Sequence, residues 1–169
     1  MPAILAVLLL LASLGACAAP QPITGTVKRV FDGDSMIVRA SGRDIEVRLG
    51  EIDTPEKGQP YADTSRKALQ GMVLGKRVRL QVLDRDQYGR TVARVYRLPD
   101  ELWVNAELVR RGHAWVYRRH VRDKSLYDVE RDAKARRAGL WALPEAQRTP
   151  PWQWRRAHPR EPAGNPRTT

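Results

Sequence analysis

Five short runs rich in β-branched residues, a helical stretch between the third and fourth, and two helical stretches after the fifth predict an α+β fold. The expected architecture is a five-stranded Greek-key β-barrel with three helices. Two observations suit that scale. The chain has 169 residues, enough for one compact domain with tails. Its one cysteine, Cys17, lies in the apolar leader, so the folded part has neither a disulfide framework nor a cysteine-based zinc site.

Taken in order, residues 3–19 are almost wholly Ala, Leu, Val and small residues, ending in Gly-Ala-Cys-Ala-Ala-Pro. The run is too short for a comfortable membrane span. It has the make-up of a signal peptide over residues 1–19, although a positively charged n-region is missing. Ala16-Cys17-Ala18 serves as a small-x-small cleavage site. Leu14-Gly15-Ala16-Cys17 serves equally as a lipoprotein signal, with Cys17 lipidated and tethering the protein to a membrane. Export is expected on both readings, to a secreted, periplasmic or envelope-tethered location.

From Ile23 the period becomes two. Residues 23–30, 35–40 and 44–49 read as strands broken by Asp-Gly and Ser-Gly turns. In the third, Ile45, Val47 and Leu49 share one face, which leaves Glu46 and Arg48 on the other. A helix is expected over about 63–74, with Leu69, Met72 and Val73 as its apolar stripe and Gly75 as its stop. Strands at 77–83 and 91–97 follow. A second helix is expected over about 102–111, closed by Gly112. A third, about 125–137, opens with Ser125 and Asp128 in capping-box-like spacing and ends at Gly139. Leu126, Val129 and Ala133 form its inner face, with Leu140 and Trp141 docking behind. This order matches the oligonucleotide-binding, or OB, type of barrel, which places the domain at residues 20–143. Residues 144–169 turn to Pro, Arg and Trp without periodicity and read as a disordered, Pro/Arg-rich basic tail.

Net charge is +11, from 30 Lys and Arg against 19 Asp and Glu, and no charged residue precedes Lys28. Such a surplus points to a polyanionic partner: nucleic acid, an anionic membrane surface or an acidic polymer. The bland alternative is a merely soluble basic protein. The two differ in whether anion-reading side chains converge on one site. His113, His120 and His158 have no carboxylate-paired i,i+4 arrangement and read as surface or rim residues.

Three polar punctuations, each closing an alternating run, carry the chemistry. They are Val-Phe-Asp-Gly-Asp-Ser (30–35), Arg-Leu-Gly-Glu-Ile-Asp-Thr-Pro-Glu (48–56) and Asp-Gln-Tyr-Gly-Arg (86–90). Asp32-Gly33-Asp34 alone is a hairpin signal, but Asp34 begins a strand and so points its carboxylate outward. Hard divalent cations such as calcium and magnesium take oxygen ligands. Pro55 biases Thr54 away from helical geometry and leaves its carbonyl uncommitted. Asp34, Asp53 and the Thr54 carbonyl then form a metal-ligand set, with water completing the shell. Glu56, three residues beyond Asp53, sits where a carboxylate can deprotonate an attacking water, or else is an ordinary helix-entry glutamate. Arg48 and Arg90 form a phosphate clamp, since guanidinium bonds two phosphate oxygens at once; singly, each also reads as a solvated surface arginine. Tyr88 and Tyr117 offer flat faces for nucleobase stacking, or pack the barrel rim.

Asp-Gly-Asp-Ser, Arg-Leu-x-x-x-Asp-Thr-Pro-Glu, Tyr-Gly-Arg and Val-Asn-x-x-Leu-Val-Arg-x-Gly (104–112) resemble the staphylococcal nuclease, or thermonuclease, family. The motifs stand in the family's order over residues 23–143 and end at the Gly-Leu-Trp of 139–141. The resemblance implies calcium held by Asp34, Asp53 and the Thr54 carbonyl, with Arg48 and Arg90 stabilising the transition state and Glu56 as general base. It implies hydrolysis of DNA and RNA, single-stranded or locally opened, at the bond to the 5′ oxygen, leaving 3′-phosphate ends. The expected protein is a monomer with no obligate protein partner. Ser35 stands for the family's commoner Thr, and Gln87 for a lysine. Two other classes compete: a catalytically silent OB module that binds nucleic acid, and a basic lipoprotein bound to an anionic envelope. Catalytic loss would show among Asp34, Arg48, Asp53, Glu56 and Arg90, and all five are present.

Overall fold

Alternating burial along each β-branched run decides how the chain closes. The computed structural model describes residues 22–159; the leader at 1–19 and the tail from 160 onward lie outside them. The strands are β1 (Ile23–Val30), β2 (Ser35–Ala40), β3 (Arg43–Leu49), β4 (Ile52–Asp53), β5 (Arg77–Arg85), β6 (Thr91–Arg97), β7 (Leu102–Trp103) and β8 (Trp115–Val116). The α-helices are α1 (Ala62–Val73), α2 (Val104–Arg110), α3 (Ser125–Ala135) and α4 (Pro151–Ala157), with 3₁₀ turns at Gly139–Ala142 and Glu145–Gln147.

β1, β2 and β3 form an antiparallel meander. β5 pairs with β1 and with β6, both antiparallel. β6 then pairs in parallel with β3, Val47 opposite Thr91 and Leu49 opposite Ala93, and this closes the five-stranded barrel. The OB-type α+β architecture expected from the sequence is therefore the one observed. Inside lie Val27, Met36, Val38, Val47, Leu49, Val78, Leu80, Ala93 and Val95, each fully buried. Leu69, Met72 and Val73 of α1 plug one end, and Leu108 of α2 and Leu126 of α3 extend the same core. Each such Val, Leu or Met side chain contributes roughly 1.5–3 kcal/mol on burial.

The structure corrects the sequence reading at three points. Leu102 and Trp103 are not helical: they extend β6's sheet as β7, with Trp103 opposite Tyr96, so α2 starts at Val104. The start of α3 is organised by Asp123, whose carboxylate accepts the Ser125 amide (3.0 Å) and hydroxyl (2.7 Å), rather than by a Ser125–Asp128 box. Among the described residues there are four α-helices rather than three. The fourth lies in the stretch expected to be disordered.

That last difference has a clear physical cause. Pro151 at the first turn presets the helix and is buried. Trp152 packs against the buried cluster of Trp115, Ala133, Leu140 and Trp141, and stacks on Tyr117 with ring centroids 5.8 Å apart. Gln59 donates to the Thr149 carbonyl at 2.5 Å. Tertiary contacts hold a segment whose own seven residues are too few to show a period. A glycine pair fixes the neighbouring helix ends. Gly112 (φ 69°) and Gly139 (φ 55°) meet backbone to backbone, where a Cβ on Gly112 would lie 2.0 Å from the Ala138 carbonyl oxygen.

Candidate active site

Asp34 enters the site from the β1–β2 turn. The Asp32 carboxylate accepts the Asp34 amide at 3.0 Å, and the Leu49 amide donates to the Asp34 carbonyl at 2.8 Å. This locks the turn beside β3. Gly33 is required by close approach: a Cβ there would sit 2.7 Å from Thr54 Oγ1 and 2.8 Å from Ser65 Cβ. With no side chain at 33, the Thr54 amide reaches Asp34 Oδ2 at 3.1 Å.

Asp53 is placed by β4, which pairs with β8 so that Ile52 faces Val116 and Asp53 faces Trp115. Residues 54–56 continue without helical structure, in keeping with the effect of Pro55 on Thr54. Asp34 and Asp53 are both buried. Arg48, directed away from the core as the alternation of β3 requires, joins them. Its Nη1 donates to Asp34 Oδ1 at 3.1 Å and its Nη2 to Asp53 Oδ1 at 2.9 Å. Burial pushes the Asp34 carboxyl up to about 7 against the pull of Arg48, with Asp32 and Asp53 adding to the rise and the Thr54 amide opposing it. Arg48 is held more firmly protonated than an ordinary guanidinium, chiefly by Asp34.

Glu56 lies half-buried on the same cleft, its amide donating to Gln59 Oε1 at 3.0 Å. Its carboxylate is linked to Asp53 through a residue that sequence reasoning missed, Arg155 of α4. Arg155 Nη2 donates to Asp53 Oδ2 at 2.7 Å, and its Nη1 to Asp53 Oδ1 at 3.1 Å and to Glu56 Oε1 at 2.6 Å. The only clue in the sequence was an arginine in a Trp-rich tail, without a local pattern to say where it would land.

Arg90 lines this cleft but does not bond the aspartates; Asp86 holds it. Asp86 Oδ2 accepts Arg90 Nε at 2.7 Å, and Oδ1 accepts the amides of Tyr88 and Arg90. Burial pushes the Asp86 carboxyl up, but Arg90 and the two amides outweigh it and hold it below the usual 3.8. Tyr88 is 75% exposed, with the Arg90 guanidinium 5.6 Å from its ring centroid. Tyr117 lines the cleft with its ring already stacked on Trp152 and tilted against His120 at 5.0 Å. His113, expected as a surface or rim residue, is half-buried and paired with Tyr61.

A second feature missing from the sequence reading is Glu51, a buried carboxylate that organises the cleft floor. It takes Arg94 Nε and Nη2 at 2.5 and 3.0 Å, and the amides of Arg122 and Asp123 at 2.7 Å each. This ties β6 and the 121–123 segment to the turn that presents Asp53. The cleft has a volume of about 1380 Å³ and carries Lys57, Arg85, Arg119 and Arg122 along with the site arginines.

The donor set suits a hard divalent cation. Among the described residues no three acidic, histidine or cysteine side chains converge on one point. Two buried aspartates nevertheless meet across the Arg48 guanidinium, and burial forces the Asp34 carboxyl towards its neutral form against the pull of Arg48. Two carboxylates with a backbone carbonyl and water are ligands of the kind such ions take. With a flanking carboxylate and several arginines on the same cleft, the arrangement can bind a phosphodiester and present a base to water.

The family model described as staphylococcal nuclease homologue matches residues 46–143. The chain is 40% identical to Protein ParB of Escherichia coli over 143 residues, covering 79% of this chain and 80% of that protein. It is 41% identical to an uncharacterized endonuclease of Escherichia coli, covering 79% of this chain and 85% of that one. It is 37% identical to a micrococcal nuclease of Shigella flexneri, covering 79% and 80%. With the barrel topology and the clustered acids and arginines, these matches establish that the chain belongs to the staphylococcal nuclease family and is a nuclease, a hydrolase of nucleic acid.

Proposed function

We propose that the protein is a calcium-dependent phosphodiesterase of DNA and RNA. Asp34, Asp53 and the Thr54 carbonyl would hold the ion, and Glu56 acts as the base. The observation that carries this reading is the junction at Asp53: Arg48 ties it to Asp34, while Arg155 ties it to Glu56. Calcium, when bound, supplies positive charge next to the scissile phosphate.

The remaining chemistry belongs to side chains. Glu56 accepts a proton from water as the water oxygen bonds to phosphorus. The bond from phosphorus to the 5′ oxygen breaks, that oxygen gains a proton from solvent, and the 3′ side keeps the phosphate. Arg48 uses two of its five N–H donors on the aspartates and directs positive charge at the non-bridging oxygens. Arg90, steadied by Asp86, supplies a second guanidinium on the same cleft. Tyr88 provides an exposed ring for a base beside the cut.

The test is digestion of single-stranded DNA, duplex DNA and RNA by purified protein, in calcium and in a calcium chelator, with analysis of product ends. Rapid cleavage in calcium only, leaving 3′-phosphates, is expected. Equal cleavage in the chelator would remove the metal from the reaction, and 5′-phosphate ends would reverse the assignment of the broken bond.

A further inference from the structure

The strongest contacts of α4 run into the acid cluster. Arg155 grips both oxygens of Asp53 and one of Glu56, at 2.6–3.1 Å. The Asp53 side chain is 1% exposed and that of Arg155 35%, so the guanidinium reaches inward from the surface. α4 lies beyond the 46–143 stretch that defines the family match. Its seat does not depend on this arginine: Pro151 is buried, Trp152 stacks on Tyr117, and the Thr149 carbonyl is bonded by Gln59. Asp53 Oδ1 already receives Arg48 and Arg155, and Oδ2, among the described residues, receives Arg155. A dication arriving at these oxygens meets a fixed positive charge within a few ångströms, in a pocket where screening by water is weak.

We propose that Arg155 is a positioning residue that competes with the divalent cation for Asp53. It is a tethered counter-ion that keeps Asp53 and Glu56 together, and its guanidinium leaves Asp53 when the ion coordinates. α4 stays seated on its apolar contacts while only the side chain moves. Cation affinity in this protein is then set partly from the C-terminal segment, and cation binding and Arg155 docking oppose each other by the same factor in both directions. The inference rests on the reading of Asp34, Asp53 and Thr54 as the ion's ligands.

The experiment is calorimetric titration of the full chain with calcium, for wild type, Arg155→Gln and Arg155→Lys. Gln is expected to bind calcium roughly tenfold tighter, within the range usual for coupled sites. Lys, which keeps the charge but loses the two-pronged grip, should fall between. In parallel, the Arg155 side-chain N–H resonance of the wild type should shift in step with calcium saturation, while the amides of 151–157 keep their exchange protection. An unchanged or weaker calcium constant in Arg155→Gln, or an unmoved Arg155 resonance at saturation, overturns the competition and leaves Arg155 as a structural staple. Failure of all three proteins to bind calcium overturns the ligand assignment itself and this inference with it.

Discussion

Single side chains with two partners organise this site. Arg48 spans two buried aspartates that come from different turns, and its planar fork is what allows one residue to do so. A lysine at 48 would offer one point charge and leave one aspartate buried beside a net negative neighbour. Arg48→Lys is therefore expected to cut the cleavage rate by about tenfold or more in steady-state assays. Glu56→Gln keeps shape and hydrogen-bonding capacity but removes the proposed base. Its rate should fall by roughly 10²–10⁴, with calcium affinity in calorimetry changed only a few-fold. Wild-type turnover in Glu56→Gln would exclude Glu56 as the base, and full activity in Arg48→Lys would show that the fork geometry is dispensable.

Between elements, pairs of polar groups act as latches. Tyr61, at the start of α1, shares a hydrogen bond of 3.0 Å with His113 Nδ1, and Ser65 donates to the His113 carbonyl at 2.6 Å. The segment after α2 is thereby fastened to α1, whose N-terminal turn follows the Asp53–Gln59 loop. Burial pushes the His113 imidazole below its usual 6.5, with Arg111 adding to the fall and Glu107 opposing it. The folded value is lower than the unfolded one, so on acidification the unfolded chain takes the proton first. Stability is full above pH 6.5 and drains as the pH falls from there through the folded value. The Asp34 carboxyl, raised to about 7, acts in the opposite sense over the same range, so the His113 share is read by difference: between pH 7.5 and pH 5 the thermal midpoint of His113→Gln should fall less, or rise more, than that of the wild type. An unaltered profile in the variant would assign the acid sensitivity elsewhere.

At the scale of the whole molecule, the net charge is +11, and Lys57, Arg85, Arg119 and Arg122 stand along the cleft together with acidic residues. Each phosphate neutralised on a single strand releases counterions, giving a slope of about −0.7 per contact in a plot of log affinity against log salt. With Glu56→Gln to block cleavage, binding of a single-stranded oligonucleotide should weaken steeply with salt, corresponding to several phosphates. A slope near zero would mean that the basic rim does not touch the strand. The composition is lopsided while the core is ordinary because, among the described residues, no lysine or arginine is buried, and the barrel interior is Val, Leu, Met and Ala.

The linear chain determined what depends on near neighbours. Period-two burial set the five barrel strands, Asp-Gly and Tyr-Gly marked the turns, and Pro55 kept Thr54 out of a helix. The acids and arginines of the motifs were legible because turns place them at strand ends, whatever the rest of the molecule does. Tertiary structure decided the pairings. Residues 48 and 34 meet only because β2 lies beside β3, and Leu102–Trp103 became a strand because β6 offered an edge. Arg155 meets Asp53 across 102 positions because Trp152 stacks on Tyr117 and packs against the Trp115–Trp141 cluster. A seven-residue helix carries no period of its own, and the free energy that orders it comes from surfaces far away in sequence.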